Sequence, residues 1–251
     1  VRNDRPDLLV ITDTVYAPFV DEFKSLVYEI PQNTICVYSY SKYFGVTGWR
    51  LGTIMLHKEN ILNEQIGKLP EKEKRELDRR YKIDSTDPRH LTFMERLVMD
   101  SRDIALAHTG GLSCPQQVLI GLMSLYELMD TQQKYKKTLQ KLLQKRVKLL
   151  EEGLGFSLLS GKHYTHYYIL INIVELARHL KGDELATKIE SSLSIRDFLY
   201  ELAKQKGTIA LPGDGFAAKG HYLRISLANL NTDDYLEVGK RIAALVMSYG
   251  D

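Results

Sequence analysis

Two short apolar runs near the start, "LLVITD" at 8–13 and "TICVYSYS" at 34–41, constrain this chain more than any other feature. Each is continuously apolar rather than alternating, the pattern of a strand covered on both faces in a parallel sheet. The first ends on Asp13, and Lys42 follows directly on the second. The 29 residues from Asp13 to Lys42 match one strand–helix–strand unit, with "FVDEFKSLVYEI" (19–30) as the helical crossover. Both polar groups then stand at strand carboxyl ends, where open α/β sheets bind their ligands. A desolvated ammonium without a partner costs several kcal/mol, so Lys42 either surfaces here or serves a site.

The stretch "GWRLGTIML" (48–56) reads as a third strand after a tight connection at Gly45 and Gly48. From about residue 60 to 108 the chain becomes charged and helical. Asp87-Pro88 reads there as a cap and first residue of a helix carrying Leu91, Met94, Leu97 and Val98 at helical spacing. The charged part is read as a solvated face, and the block as holding no chemistry. Ser113, followed by Pro115, opens another helix through Leu128. A basic amphipathic helix at 132–152, with Tyr135, Leu139, Leu142, Leu143 and Leu150 on one side, reads as a connector between domains 1–131 and 132–251. Beyond it the chain reads as a strand at 164–173, a helix from Ser194 with Asp197 in capping-box position, strands at 208–213 and 221–229, and a closing helix. That mixture predicts a smaller α+β domain.

The 251 residues carry a net charge of +2, which gives no reason to expect nucleic acid or an anionic membrane as partner. The apolar run "YYILINIV" at 167–174 is far too short to span a bilayer. Cys36 and Cys114 supply neither a disulfide framework nor a metal motif, so a soluble, reducing compartment, the cytoplasm, is expected. The chain begins without Met and enters a strand almost at once, as the later part of a longer protein would.

The chemistry concentrates in S-x-S-K-x-x-x-x-x-G-x-R-x-G, met by Ser39, Ser41, Lys42, Gly48, Arg50 and Gly52. Six fixed positions match by chance with a probability on the order of one in ten million per starting point. Taken singly, each residue has a plain reading. Asp13 caps a turn, Tyr16 packs, Lys42 lies on the surface, and Arg224 pairs across strands. His163 and His166 read as strand surface.

Taken together, these residues resemble the class I and II aminotransferases among the fold type I pyridoxal-phosphate enzymes. The resemblance implies an α/β fold: part of an aminotransferase-like large domain with a mostly parallel sheet and a helical insertion, followed by a smaller C-terminal α+β domain. It implies pyridoxal 5'-phosphate as cofactor, with Lys42 as the lysine that joins it covalently. Asp13 and Tyr16 fit the family's D-x-x-Y element, which implies pairing of Asp13 with the ring nitrogen and of Tyr16 with the ring oxygen. Ser39 and Arg50 match the phosphate-holding positions. "LPGDGF" (211–216) and "YLRISLA" (222–228) resemble the P-G-x-x-F and R-x-S elements, so Arg224 matches the arginine that grips the substrate α-carboxylate.

The long helical block is similar to that of the aspartate β-decarboxylating branch of this family. This implies conversion of L-aspartate to L-alanine and CO2, with transamination to a 2-oxo acid as the second activity. A homo-oligomer built from dimers is also implied. No Lys or Arg falls between Asp103 and Lys134, which suits an enzyme that expels the distal carboxylate rather than clamping it. Further cofactor-cage groups of the family precede its covalent lysine by more than this chain contains, so the chain alone is expected to be inactive. Two alternatives stand beside this reading: an aminotransferase of the same fold acting on another amino acid, and a non-catalytic aminotransferase-like binding or interaction domain.

Overall fold

The computed structural model describes residues 4–103, 112–159, 161 and 163–250. The chain divides into two compact units, Val1–Pro18 with Glu22–Gln132, and Phe19–Asp21 with Gln133–Asp251.

In the first unit, β1 (Val10–Asp13) and β2 (Thr34–Ser39) pair in parallel, with Asp13 opposite Val37. The expected long crossover is instead a single turn, α1 (Leu26–Glu29). Its N-terminal cap is Ser25, and Pro31 disfavours helical backbone at Ile30. Upstream, Phe19 and Val20 are buried in the second unit, which removes them from any helix of the first. Beyond β2, one helical turn, α2 (Tyr40–Tyr43), leads through a 3-10 turn at Thr47–Trp49 into β3 (Gly52–Leu56). This third strand starts later than the sequence pattern predicts, because Arg50 takes a left-handed conformation (φ 55°). It pairs antiparallel with β2, so the sheet is mixed, in order β1-β2-β3.

The helical block contains α3 (Ile61–Gly67), α4 (Glu71–Tyr81) and α5 (Phe93–Asp103). Residues 104 to 108 of the expected block lie outside the described residues. Asp87-Pro88 does not start α5; Pro88–His90 is a 3-10 turn. The helix begins after Thr92, whose hydroxyl accepts from the Glu95 amide while the Glu95 carboxylate accepts from the Thr92 amide at 2.7 Å. That reciprocal cap satisfies two end groups at once, which Asp-Pro does not do here. The next helix, α6 (Cys114–Met129), opens as predicted on Ser113, in a capping box with Gln116. Val118, Leu122, Leu125, Leu128 and Met129 of α6 are all exposed, as are Ile11, Ile54 and Met55 of the sheet.

The second unit has a denser core. The amphipathic helix α7 (Lys134–Leu154) buries Leu143, Val147, Leu150 and Leu154. Side chains of α7 also hold the Phe19–Asp21 segment: Lys136 donates to the Val20 carbonyl at 3.0 Å and Gln140 to the Phe19 carbonyl at 3.0 Å. The strand β4 (Tyr168–Asn172) is followed by α8 (Ile173–Lys181), α9 (Asp183–Ser192) and α10 (Ile195–Lys206). The pair α8 and α9 is not anticipated by the sequence reading. It begins on Asn172, whose side chain accepts from the amides of Val174 and Glu175 and turns a strand directly into a helix. His163 and His166 precede β4 rather than lying on it, and His166 is left-handed (φ 53°). The predicted strand at 208–213 shrinks to β5 (Leu211–Pro212).

β6 (Tyr222–Ser226) sits between β4 and β5 in an antiparallel sheet of order β4-β6-β5. Ile169, Ile171, Leu223 and Ile225 point into the core, and α11 (Asp234–Ser248) closes the unit. Where α7 and α11 cross, Gly153 and Gly239 face one another. A Cβ on Gly153 would stand 2.1 Å from the Leu236 carbonyl oxygen, and one on Gly239 would stand 2.5 Å from that of Leu150. Only hydrogen at both positions permits so close a crossing. Among the described residues no helix is long and apolar enough to cross a membrane.

Candidate active site

The sequence motif becomes a tight knot at the carboxyl end of β2. Ser39 caps α2: its hydroxyl accepts from the Ser41 amide at 3.2 Å and donates to the Leu51 carbonyl at 3.1 Å. The Tyr40 amide reaches the same carbonyl at 3.1 Å. These bonds draw the segment after Arg50 against the Ser39 turn, so Ser39, Lys42 and Arg50 come together around one strand end. Gly52 makes this approach possible, since a Cβ there would lie 3.0 Å from the Tyr38 carbonyl oxygen.

Within α2, Ser41 and Tyr43 are buried while Lys42 between them is half-buried. The lysine therefore leaves the turn on a side different from its two neighbours, on a backbone they fix. Helix α6 anchors the arrangement from below. Tyr40 and Ser124 share a hydroxyl hydrogen bond of 3.2 Å, Tyr43 donates to Glu127 at 3.2 Å, and Gln116 donates to the Trp49 carbonyl at 3.1 Å. Arg50 spends Nη1 on the Thr47 carbonyl at 2.9 Å and is exposed.

Asp13 ends the neighbouring parallel strand. One carboxylate oxygen accepts from the Val15 amide at 2.9 Å, the turn-capping role its position alone predicts. Thr14, which is buried, bonds back to the Val37 carbonyl through its amide at 2.9 Å and its hydroxyl at 3.0 Å. That clamp leaves the exposed Asp13 carboxylate on the same end of the sheet as the Ser39 turn. Tyr16 is half-buried in the turn that follows.

Arg224 belongs to the second unit. Its guanidinium lies between two rings, 3.3 Å from the centroid of Phe216 and 4.1 Å from that of Tyr168. Leu170 and Leu211 are its partners on the flanking strands, so it is not the cross-strand charged partner that a lone arginine suggests. The rings hold its faces and leave its N–H edges without a hydrogen-bond acceptor among the described residues, an arrangement suited to an in-plane carboxylate. Tyr168 is the member of this set that the sequence reading misses. Its partnership with Arg224 depends on strand register, which the sequence does not display. Among the described residues no group of three His, Cys, Asp or Glu is placed to hold a metal ion.

An amine, a carboxylate, a hydroxyl and a guanidinium at one sheet end fit an aldehyde-bearing aromatic phosphate better than they fit a metal or a nucleophilic triad. Comparison with known proteins agrees in kind. A family model described as aminotransferase class I and II matches residues 2–242. The bifunctional aspartate aminotransferase and L-aspartate beta-decarboxylase of a Pseudomonas species is 44% identical over 245 residues, 98% of this chain and 46% of its own length. This chain thus spans about half the length of that relative. Among solved structures, a PLP-dependent aminotransferase from Streptococcus suis superposes with a TM-score of 0.60 at 14% identity, covering 96% of this chain and 49% of the other. The N-succinyldiaminopimelate aminotransferase of Mycobacterium tuberculosis gives 0.58 at 20% identity, covering 95% and 50%. At such identities the structural likeness speaks for the fold alone.

Proposed function

This chain belongs to the class I and II aminotransferases, and on that premise we propose that it carries one part of a pyridoxal-phosphate site converting L-aspartate to L-alanine and CO2, with aspartate transamination as a second activity. The observation that supports the proposal is the Ser39–Leu51 clamp, which brings the backbone that follows Arg50 onto the turn carrying Lys42, at the sheet end where β1 closes on Asp13. The 44% identity to the bifunctional relative supports aspartate as the substrate.

When bound, pyridoxal phosphate supplies an electron sink for the charge left at the substrate Cα. Lys42 would anchor it covalently, and its Nζ would take the substrate Cα proton and return one. The Asp13 carboxylate would favour a protonated ring nitrogen, each pKa unit of that preference being worth about 1.4 kcal/mol. Tyr16 would donate to the ring oxygen, while Ser39 and the uncommitted edge of Arg50 would hold the phosphate. Arg224, kept flat by Tyr168 and Phe216, binds the α-carboxylate of aspartate. The distal carboxylate departs as CO2 and one proton takes its place on Cβ, so aspartate plus a proton becomes alanine plus CO2.

A homo-oligomer in the cytoplasm is part of the proposal. The exposed apolar residues of α6 and of the sheet support the reading that the first unit is covered in the working protein. Because the chain spans 46% of its relative, it is expected by itself to bind the cofactor weakly and to turn over nothing. Borohydride reduction of the cofactor-loaded holoenzyme, followed by peptide mass spectrometry, tests the anchor. Label on Lys42, absent from Lys42→Ala, is expected; label spread over surface lysines refutes it. In the longer protein containing this chain, release of alanine and CO2 from aspartate is expected. Transamination alone refutes the decarboxylase assignment and leaves an aminotransferase.

A further inference from the structure

The helical block of the first unit carries a half-open cavity of about 360 Å³ between α3, α4, the Pro88–His90 turn and α5. It lies apart from the Lys42 knot and is lined by Asn63, Lys74, Asp78, Arg89, Thr92 and Arg96 among others. Arg96 is the unusual member. Only 4% of it is exposed, its Nε donates to the Leu91 carbonyl at 3.2 Å and its Nη2 to the Pro88 carbonyl at 2.9 Å, and the Tyr81 ring lies 5.0 Å from its guanidinium carbon. Its Nη1 is buried and has no hydrogen-bond partner among the described residues. The Glu95 carboxylate feels this charge without bonding to it, so the buried guanidinium keeps one donor unmet in a medium of low dielectric.

The other donors of the cavity share the deficit. Lys74 is half-buried and makes no ion pair among the described residues. Asn63, a lining residue, accepts from the Phe93 amide through its carbonyl oxygen at 2.8 Å, and its NH2 meets no acceptor among the described residues. The nearby acids do not fill the gap. Both oxygens of Glu71 accept from Arg89, at 2.9 and 3.1 Å, and Asp78 accepts from Arg89 at 2.8 Å. His90 is already paired with Asp87. Lys74, Arg89 and Arg96 line the space against one lining carboxylate, Asp78, which meets Arg89 through Oδ2 alone, so the lining is net cationic around a space large enough for a small ligand.

We propose that this cavity is a binding site for a small phosphate-bearing anion, held by Lys74 and the Asn63 amide against the buried charge of Arg96. Three tetrahedral oxygens satisfy several divergent donors at once, and a guanidinium is their preferred cation. The volume exceeds that of a bare phosphate, so a small ester fits as well as the free ion.

The test uses the purified chain with inorganic phosphate and with glycerol phosphate, each against chloride at equal ionic strength, read by thermal shift and titration calorimetry. Either phosphate compound is expected to bind and stabilise beyond chloride, and the tighter of the two identifies the natural form. Asn63→Asp keeps the acceptor for Phe93 but replaces the NH2 with an anionic oxygen; Lys74→Met removes the half-buried cation. Each is expected to weaken binding roughly tenfold or more while leaving the unliganded melting temperature near wild type. Arg50→Ala is expected to retain the response, which separates this cavity from the phosphate-holding role proposed above for Arg50. Absence of binding in the wild type, undiminished binding in Asn63→Asp and Lys74→Met, or loss in Arg50→Ala overturns the proposal.

Discussion

Replacing Gly153 by alanine tests how the second unit holds its two longest helices together. In an exposed helix the change stabilises, since alanine exceeds glycine by about 1 kcal/mol in helix propensity. At the α7–α11 crossing the new Cβ would meet the Leu236 oxygen at 2.1 Å, the Lys240 nitrogen at 2.9 Å and the Gly239 Cα at 3.0 Å. A carbon–oxygen contact settles at about 3.3 Å, so the backbones must part by roughly 1 Å. Such a gap forfeits about a quarter to a half of each dispersion well between facing side chains such as Leu150, Leu154, Ile242 and Val246. With roughly thirty atom pairs across the seam at about 0.15 kcal/mol each, the loss is about 1.5–2 kcal/mol. Residual overpacking strain adds about 1–2 kcal/mol. The sum exceeds the propensity gain, and Gly153→Ala is expected to destabilise by about 2 kcal/mol.

The control is Gly121→Ala in α6, where a Cβ meets nothing within 4 Å and a gain of about 1 kcal/mol is expected. Urea unfolding followed by circular dichroism measures both, and hydrogen exchange at α7 and α11 amides localises the effect. If Gly153→Ala stabilises as Gly121→Ala does, the close crossing is not what this glycine provides.

Gly52→Ala pushes a Cβ to 3.0 Å from the Tyr38 carbonyl and is expected to cost about 1 kcal/mol while loosening the Ser39–Leu51 clamp, read as a rise in the dissociation constant for pyridoxal phosphate in the holoenzyme. Tyr168→Leu removes one of the two rings flanking Arg224 and is expected to raise the KM for aspartate about five- to tenfold with kcat little changed, whereas Tyr168→Phe retains the ring and the affinity; equal KM values would remove Tyr168 from that role. Burial holds the His166 imidazole below its ordinary value, with Glu151 opposing, so the unfolded chain binds more protons than the folded one at mildly acid pH. Stability is therefore expected to fall as pH drops below about 6.5, and His166→Asn, which suits the left-handed backbone there, should flatten that slope in urea titrations between pH 7 and 5.

What the sequence makes legible is mostly local. The caps at Ser113 and Ser194 and the turn that Ser39 opens all lie within stretches where neighbours in sequence remain neighbours in space. The start of α5 is misread because two signals compete, and Thr92 with Glu95 satisfies two amide-end groups where Asp87-Pro88 satisfies none in a helix. The passage from β4 into α8 is hidden by an apolar run that continues across Asn172, although Asn172 and Glu175 form a readable cap in retrospect. Tyr168 beside Arg224, and Arg96 inside a block that reads as a solvated surface, depend on strand register and helix packing between distant residues. No pattern of near neighbours encodes those.

Helix α6 carries none of the motif residues, yet it fastens the lysine turn at Tyr40 and Tyr43 and the arginine loop at Trp49. It is a common strut under two groups that must keep their spacing. A force that tilts it shifts both groups together, whereas loss of a single peg lets one drift relative to the other. Substitutions at Ser124, Glu127 or Gln116 would thus detune the site from behind, leaving every residue of its motif in place.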